Sequence, residues 1–191
     1  DELGEGANDL LILVADGMGG HAAGEVASAL AVERFAASFV AGAQRDACDM
    51  ARLWDSLEDA NDAIGKQIDE GGSSLEGMGT TMVALLIRGN VAHWITVGDS
   101  SLFLVREGKL RRLNEMHLWS MRLDQEAAEG LISEQEALSD ERRHRLMSAL
   151  VGEALFEVDD SEPLELLGGD LEIDYNRNQG NRDLINQVEE F

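Results

Sequence analysis

Apolar residues run without interruption from Leu10 to Ala15 and stop at Asp16, which predicts a buried strand with a carboxylate at its tip. Gly17, Gly19 and Gly20 follow and permit a tight turn. From His21 to about Val40 the period becomes helical, with Val32, Phe35, Ala36 and Phe39 spaced i, i+3, i+4 and i+7. A second helix is predicted from about Asp49 to Ile68, with Met50, Leu53, Trp54, Leu57, Ile64 and Ile68 on one stripe, and Gly71-Gly72-Ser73-Ser74 ends it. Three β-like runs come next, Thr80 to Ile87, Val91 to Val97 and Leu102 to Val105. They are joined by Arg88-Gly89-Asn90 and Gly98-Asp99-Ser100-Ser101. Connections this short suit antiparallel hairpins, because a parallel crossover needs roughly a dozen residues or more. Glu107-Gly108 predicts another turn, into Lys109 to Leu113.

Leu123 to Leu138 is acidic and helical in pattern, broken at Gly130, and Ser133 with Glu136 forms a capping box that starts a new short helix. Pro163 precedes Leu164 to Leu167 and a Gly168-Gly169-Asp170 turn, after which Asp174 to Asp183 is polar. A strand, two helices and then a strand meander predict a layered α+β sandwich with segregated antiparallel sheets.

Composition narrows the class. The chain has 191 residues, 44% hydrophobic and 28% charged, which suits one globular domain. Its longest apolar runs fall well short of the roughly 20 residues that span a bilayer. The single Cys48 excludes an internal disulfide and suits a reducing compartment, and the Asp1-Glu2 start carries no targeting signal, so a cytoplasmic location is expected. A net charge of −23 argues against nucleic acid or membrane as the main partner, since both call for Lys and Arg against phosphates. Divalent cations or a basic protein segment suit it better. Most of the carboxylates nonetheless read as solvated surface.

A carboxylate at a strand tip beside a glycine turn can bind a hard divalent cation, with backbone carbonyls as further oxygen ligands. Gly17-Met18-Gly19-Gly20-His21-Ala22 also satisfies the dinucleotide fingerprint. That reading fails because Glu33 lies on the helix itself and the next strand arrives only near Thr80, so no βαβ unit closes. No Lys-Ser/Thr pair follows the glycines, which excludes a P-loop, and a plain turn with a solvated Asp stays open. Cys48 has no neighbouring His, and there is no G-x-S-x-G nucleophile motif. His93, His117 and His144 have no i, i+4 partner and read as structural or exposed.

Four segments, in order, carry a resemblance. They are Val14-Ala15-Asp16-Gly17-Met18-Gly19-Gly20-His21 with Ala23 to Ser28, then Gly77-Met78-Gly79-Thr80-Thr81, then Thr96-Val97-Gly98-Asp99-Ser100-Ser101 with Leu104 to Leu110, then Leu123 to Ile132. Together they resemble the bacterial metal-dependent protein phosphatases of the type 2C-like serine/threonine family. The resemblance implies one domain over 1–191, a four-layer α-β-β-α sandwich with two mainly antiparallel sheets, and a flap at about 114–145. It implies that Asp16 bridges two Mg²⁺ or Mn²⁺ ions, that the Gly17 carbonyl completes one shell, and that a metal-bridging water attacks phosphoserine or phosphothreonine. Asp99 matches the acid of a third, weaker metal, or caps its own turn. Asp183 matches the last ligand position, although Leu184 stands where the family has Asn, and it also reads as a loop residue. Met18 occupies the place of a candidate general acid in eukaryotic relatives, and His21 reads either as a proton donor to the leaving oxygen or, the favoured reading, as a residue packed at the helix start. The implied partners are a phosphorylated protein substrate and a Ser/Thr kinase or its targets.

The family's opening Arg and Asn-Glu-Asp text has no counterpart here, and Gly169-Asp170-Leu171 begins a Ser-Asp-Gly approach that Glu172 to Tyr175 does not continue. A segment near 172–176 is therefore expected to be missing, with Asp174 a weak substitute ligand. The alternative to an active hydrolase is a catalytically impaired relative that acts as a phosphoprotein-binding or regulatory domain.

Overall fold

The structure, a computed structural model, describes residues 9–19, 21–44, 48–72, 75 and 77–175. Strand β1 (Leu10–Val14) leads through Asp16 into the two-residue β2 (Gly17–Met18) and helix α1 (His21–Ala41). Helix α2 (Asp49–Gly71) follows, then β3 (Gly79–Thr80), β4 (Met82–Arg88), β5 (Val91–Val97), β6 (Ser101–Arg106) and β7 (Lys109–Arg112). Helices α3 (Trp119–Ala128) and α4 (Glu134–Ser139) precede β8 (Asp159–Asp160), β9 (Leu164–Glu165) and β10 (Leu171–Tyr175).

Strand order is β1-β4-β5-β8 in the main sheet, with β9 also on β5, and β10-β6-β7 in the second. All described pairings are antiparallel. The period of two along β4 and β5 sorts side chains into two cores. Met82, Ala84 and Leu86 with Ile95 and Val97 meet Phe35, Leu53, Leu57 and Ile64 of α1 and α2. Val83, Leu85, Ala92 and Trp94 turn the other way and meet Leu102 of β6. Helices, main sheet and second sheet thus stack as layers, in the expected α+β sandwich. Helices α3 and α4 pack on each other. No helix among the described residues is long and apolar enough to cross a membrane.

The predicted α1 stripe is buried at Phe35 and Phe39, and Ala23, Ala27 and Ala31 extend it at i, i+4 spacing. Ala22, Ala29 and Ala37 lie off that line and mask its period in sequence. Helix α2 outlasts its predicted end at Ile68 and closes at Gly72, whose N–H donates back to the Ile68 carbonyl. The run expected as one strand from Thr80 to Ile87 is broken at Thr81, so that β3 pairs with β2 while β4 pairs with β1.

Between β7 and β8 the chain runs outside the named strands, and His117 and Met147 close off an excursion there. The Met147 N–H donates to the His117 carbonyl at 2.8 Å, and the Trp119 N–H to the Arg145 carbonyl at 3.1 Å. Within this excursion the capping box is complete, with Glu136 N–H to Ser133 Oγ at 3.2 Å and Ser133 N–H to Glu136 Oε2 at 2.8 Å. Arg143 ties the two helices together through Asp124, and Arg142 lies over the Trp119 ring at 4.4 Å. Helix α3 begins at Trp119, earlier than Leu123, and Leu118 at its N-cap supplies no capping side chain, which is why the start is invisible in sequence.

Candidate functional site

The break at Thr81 builds the site. Leaving the ladder, the Thr81 N–H donates to the Asp16 carbonyl at 3.0 Å, and the Asp16 N–H donates to Thr81 Oγ1 at 3.0 Å. Thr81 Oγ1 also lies 2.9 Å from Ser100 Oγ. One buried hydroxyl therefore joins the β1 tip to the Gly98-Asp99-Ser100-Ser101 hairpin, uniting three of the sequence motifs. Asp16 and Asp99 are both half-buried.

The hairpin has its own supports. Asn114, 4% exposed, accepts the Leu102 N–H at 2.7 Å and donates to the Ser100 carbonyl at 2.9 Å and Thr96 Oγ1 at 3.3 Å. Gly98 has φ +107°, and a Cβ there would stand 2.5 Å from the Thr81 methyl, so glycine is required on both counts. Its N–H donates to His117 Nδ1 at 3.0 Å, and the His117 N–H returns to its carbonyl at 2.9 Å. His117 is thus structural, as its isolation in sequence suggests. Asn114 and Thr81 carry roles that the sequence reading missed. Thr81 closes the Gly77–Thr81 motif, but its tie to Asp16 and Ser100, like that of Asn114 to Leu102 and Thr96, is made only on folding.

Loss of the Thr81 hydroxyl alone should be measurable. Thr81→Val keeps the shape but strips the Asp16 N–H and Ser100 Oγ of a buried partner, at a cost of about 1–3 kcal/mol. Thermal melting is expected to drop by several degrees, with Thr81→Ser close to the parent. Equal melting of all three proteins would contradict the role given to the hydroxyl.

His117 sets a pH dependence. Burial pushes its pKa below the ordinary 6.5, against smaller opposing effects from Glu157, Asp159 and Glu115. A depressed histidine makes the unfolded chain bind more protons as pH falls, so stability is complete above about pH 6.5 and declines below it. Burial raises the Asp159 carboxyl, which has the opposite sign and acts above the ordinary 3.8. Denaturant unfolding between about pH 7.5 and 5.5 should show the decline, and His117→Asn, which keeps an acceptor for the Gly98 N–H, should flatten it. An unchanged slope in that variant would refute the assignment.

Around Asp16 the donor set is carboxylate and carbonyl oxygen, which suits Mg²⁺ or Mn²⁺. A Cβ at Gly24 of α1 would lie 2.8 Å from the Gly17 carbonyl oxygen, and a Cβ at Gly17 would strike the Gly24 carbonyl. The two glycines let α1 pack closely against the turn that follows Asp16, whose carboxylate, with the Gly17 carbonyl oxygen, would supply the ligands of a metal. Among the described residues no group of three or more His, Cys, Asp or Glu is placed to hold a metal. Asp183 lies outside the described residues. Asp170, at the start of the expected Ser-Asp-Gly text, is instead a structural residue. It accepts from Arg106 Nε at 3.0 Å and Nη2 at 2.6 Å and from the Leu167 N–H at 2.8 Å, and the guanidinium holds its carboxyl below the usual range. A cavity of about 510 Å³, lined by Cys48, Arg88 and His93, lies at the opposite end of β4 and β5 and takes no part in this site.

The protein phosphatase 2C family profile matches residues 2–150. Serine/threonine protein phosphatase PstP of Mycobacterium tuberculosis is 38% identical over 142 residues, 74% of this chain and 26% of the relative. Serine/threonine phosphatase stp of Listeria welshimeri is 34% identical over 155 residues, 80% of this chain and 60% of the relative. The chain therefore spans about a quarter of the first protein and under two thirds of the second. A solved structure of the PstP catalytic domain with 2 manganese ions is 32% identical, with a TM-score of 0.63 over 91% of this chain and 72% of that one. The matched stretch contains the Asp16 tip, the Thr81 junction and the Asp99 hairpin in one connected unit, and the chain belongs to the protein phosphatase 2C family.

Proposed function

We propose that this chain hydrolyses phosphoserine and phosphothreonine esters in proteins, in a reaction that depends on Mn²⁺ or Mg²⁺. The observation that carries the reading is the Asp16 tip, where a half-buried carboxylate follows β1 and the next residue, Gly17, lies too close to Gly24 of α1 for either to bear a Cβ. The manganese-bound PstP structure, 32% identical, supports the choice of ion. Ions bound here would lower the pKa of a water and hold phosphoryl oxygens in line with it. Asp16 and the Gly17 oxygen would hold them, Asp99 would serve a weaker third site, and Asp183 would be a further ligand. Thr81 fixes the backbone that carries Asp16 and so sets where its carboxylate stands. Overall, the water oxygen replaces the Ser or Thr oxygen on phosphorus, the ester P–O bond breaks, and a proton passes to the leaving oxygen.

In this reading 1–191 is one catalytic domain, the excursion within about 114–145 is its flap, and the protein works in the cytoplasm on targets of a Ser/Thr kinase. Relatives named as phosphatases support turnover over binding alone. Aryl phosphate hydrolysis by the 191-residue chain tests it. Turnover should appear on adding Mn²⁺ and vanish with a chelator, whereas turnover that survives chelation would overturn the proposal.

A further inference from the structure

A groove of about 620 Å³ runs between α2 and residues 152–158. Its apolar lining includes Trp54, Leu155 and Phe156, and its acidic lining Glu58, Asp62 and Glu153. Phe156 is 67% exposed. Such exposure on a loose segment would mean little, but this segment is pinned. Asn61 of α2, itself 6% exposed, accepts the Val151 and Gly152 N–H groups at 3.1 and 2.9 Å and donates to the Glu153 carbonyl at 2.7 Å. The backbone that leads into Phe156 is therefore fixed, and Phe156 lines the groove together with Trp54 and Leu155, an apolar group rather than one exposed side chain.

Charge selects the occupant. Glu58 and Asp62 are i, i+4 on one helix, an arrangement of like charges that opposes folding. No ion pair reaches either of them or Glu153 among the described residues, and the groove lining contains no Lys, Arg or His. A second copy of this chain is a poor occupant, since each copy carries −23 and would present the same acidic rim. A segment with Lys or Arg flanking an apolar anchor matches both features, with the anchor against Phe156 and Trp54 and its cations on the carboxylates.

The groove adjoins the catalytic strand. Leu150 pairs with Thr80 through hydrogen bonds of 3.0 and 2.9 Å, and Thr80 pairs with Gly17 in β2. We propose that this groove docks a basic, apolar-anchored segment of the phosphoprotein substrate, separate from its phosphorylated residue. The proposal rests on the phosphatase reading for the identity of the partner, but not for binding itself.

The test uses the 191-residue chain and a labelled, unphosphorylated peptide alternating Lys and Leu, read by fluorescence anisotropy. Saturable binding is expected, weakened by added salt and by about tenfold in Phe156→Ser and in the Glu58→Lys, Asp62→Lys double variant. A Glu and Leu peptide should not bind. With a phosphothreonine peptide bearing the basic segment, the same variants should raise KM and leave aryl phosphate turnover unchanged. Peptide binding without any aryl phosphate turnover would sink the phosphatase reading and leave the groove assigned. Equal affinity in parent and variants would overturn the docking proposal, as would a dimer of the parent that Phe156→Ser dissolves. All three positions lie on the surface, so retained melting distinguishes lost docking from lost fold.

Discussion

Asp16→Asn is expected to lower Mn²⁺-dependent kcat/KM for an aryl phosphate by about a hundredfold or more while leaving the melting temperature nearly unchanged. The substitution keeps the side chain's size but removes the negative charge that would hold the cations. Metal stabilisation of transferring phosphoryl charge amounts to several kcal/mol, and about 1.4 kcal/mol corresponds to tenfold in rate. The links from residue 16 to Thr81 use backbone atoms of Asp16, so the amide should leave them intact. Steady-state rates with saturating Mn²⁺, together with a thermal melt, separate the two effects. Parental activity in this variant would mean that the tip is not the metal site.

Gly24→Ala should destabilise the protein by about 1–3 kcal/mol and weaken Mn²⁺ binding as well. The sign is the informative part. Alanine is a better helix former than glycine, and in an open helix the exchange would stabilise by up to about 1 kcal/mol. Here the new methyl meets the Gly17 carbon and oxygen at 2.8 Å and the Met18 nitrogen at 3.0 Å, all of them backbone atoms that no rotamer change can move. Either α1 shifts away from β2 or the Asp16 turn deforms, and each would disturb the oxygen donors proposed for the metal. Denaturant unfolding and Mn²⁺ titration of the same variant test this. A more stable Gly24→Ala with parental metal affinity would contradict the close approach.

Much of the fold is legible in the sequence because it is written in local periods. The apolar run ending at Asp16, the stripe of α2 and the short connections at Gly89 and Gly98 each specify an element without reference to distant residues. The site is legible to the extent that it lies in such places, which is why Asp16 and the Asp99 hairpin stand out. What escapes are partnerships across sequence distance. Thr81 sits in a continuous β-like run, and only the approach of the β1 tip shows that it leaves the ladder. Asn61 and Asn114 look like ordinary polar residues, yet each satisfies backbone groups far along the chain or across a hairpin. The role of Asp170 likewise appears only in the fold, where Arg106 grips its carboxylate from 64 residues away. Pairings of this kind depend on the folded register, which composition and period do not encode.

Calorimetric titration of Mn²⁺ into the parent and Asp16→Asn tests the proposed role of Asp16 in a metal centre directly, without reference to turnover. The parent should bind Mn²⁺ saturably and the variant should lose that binding at matched concentration. Identical isotherms for the two proteins would contradict it.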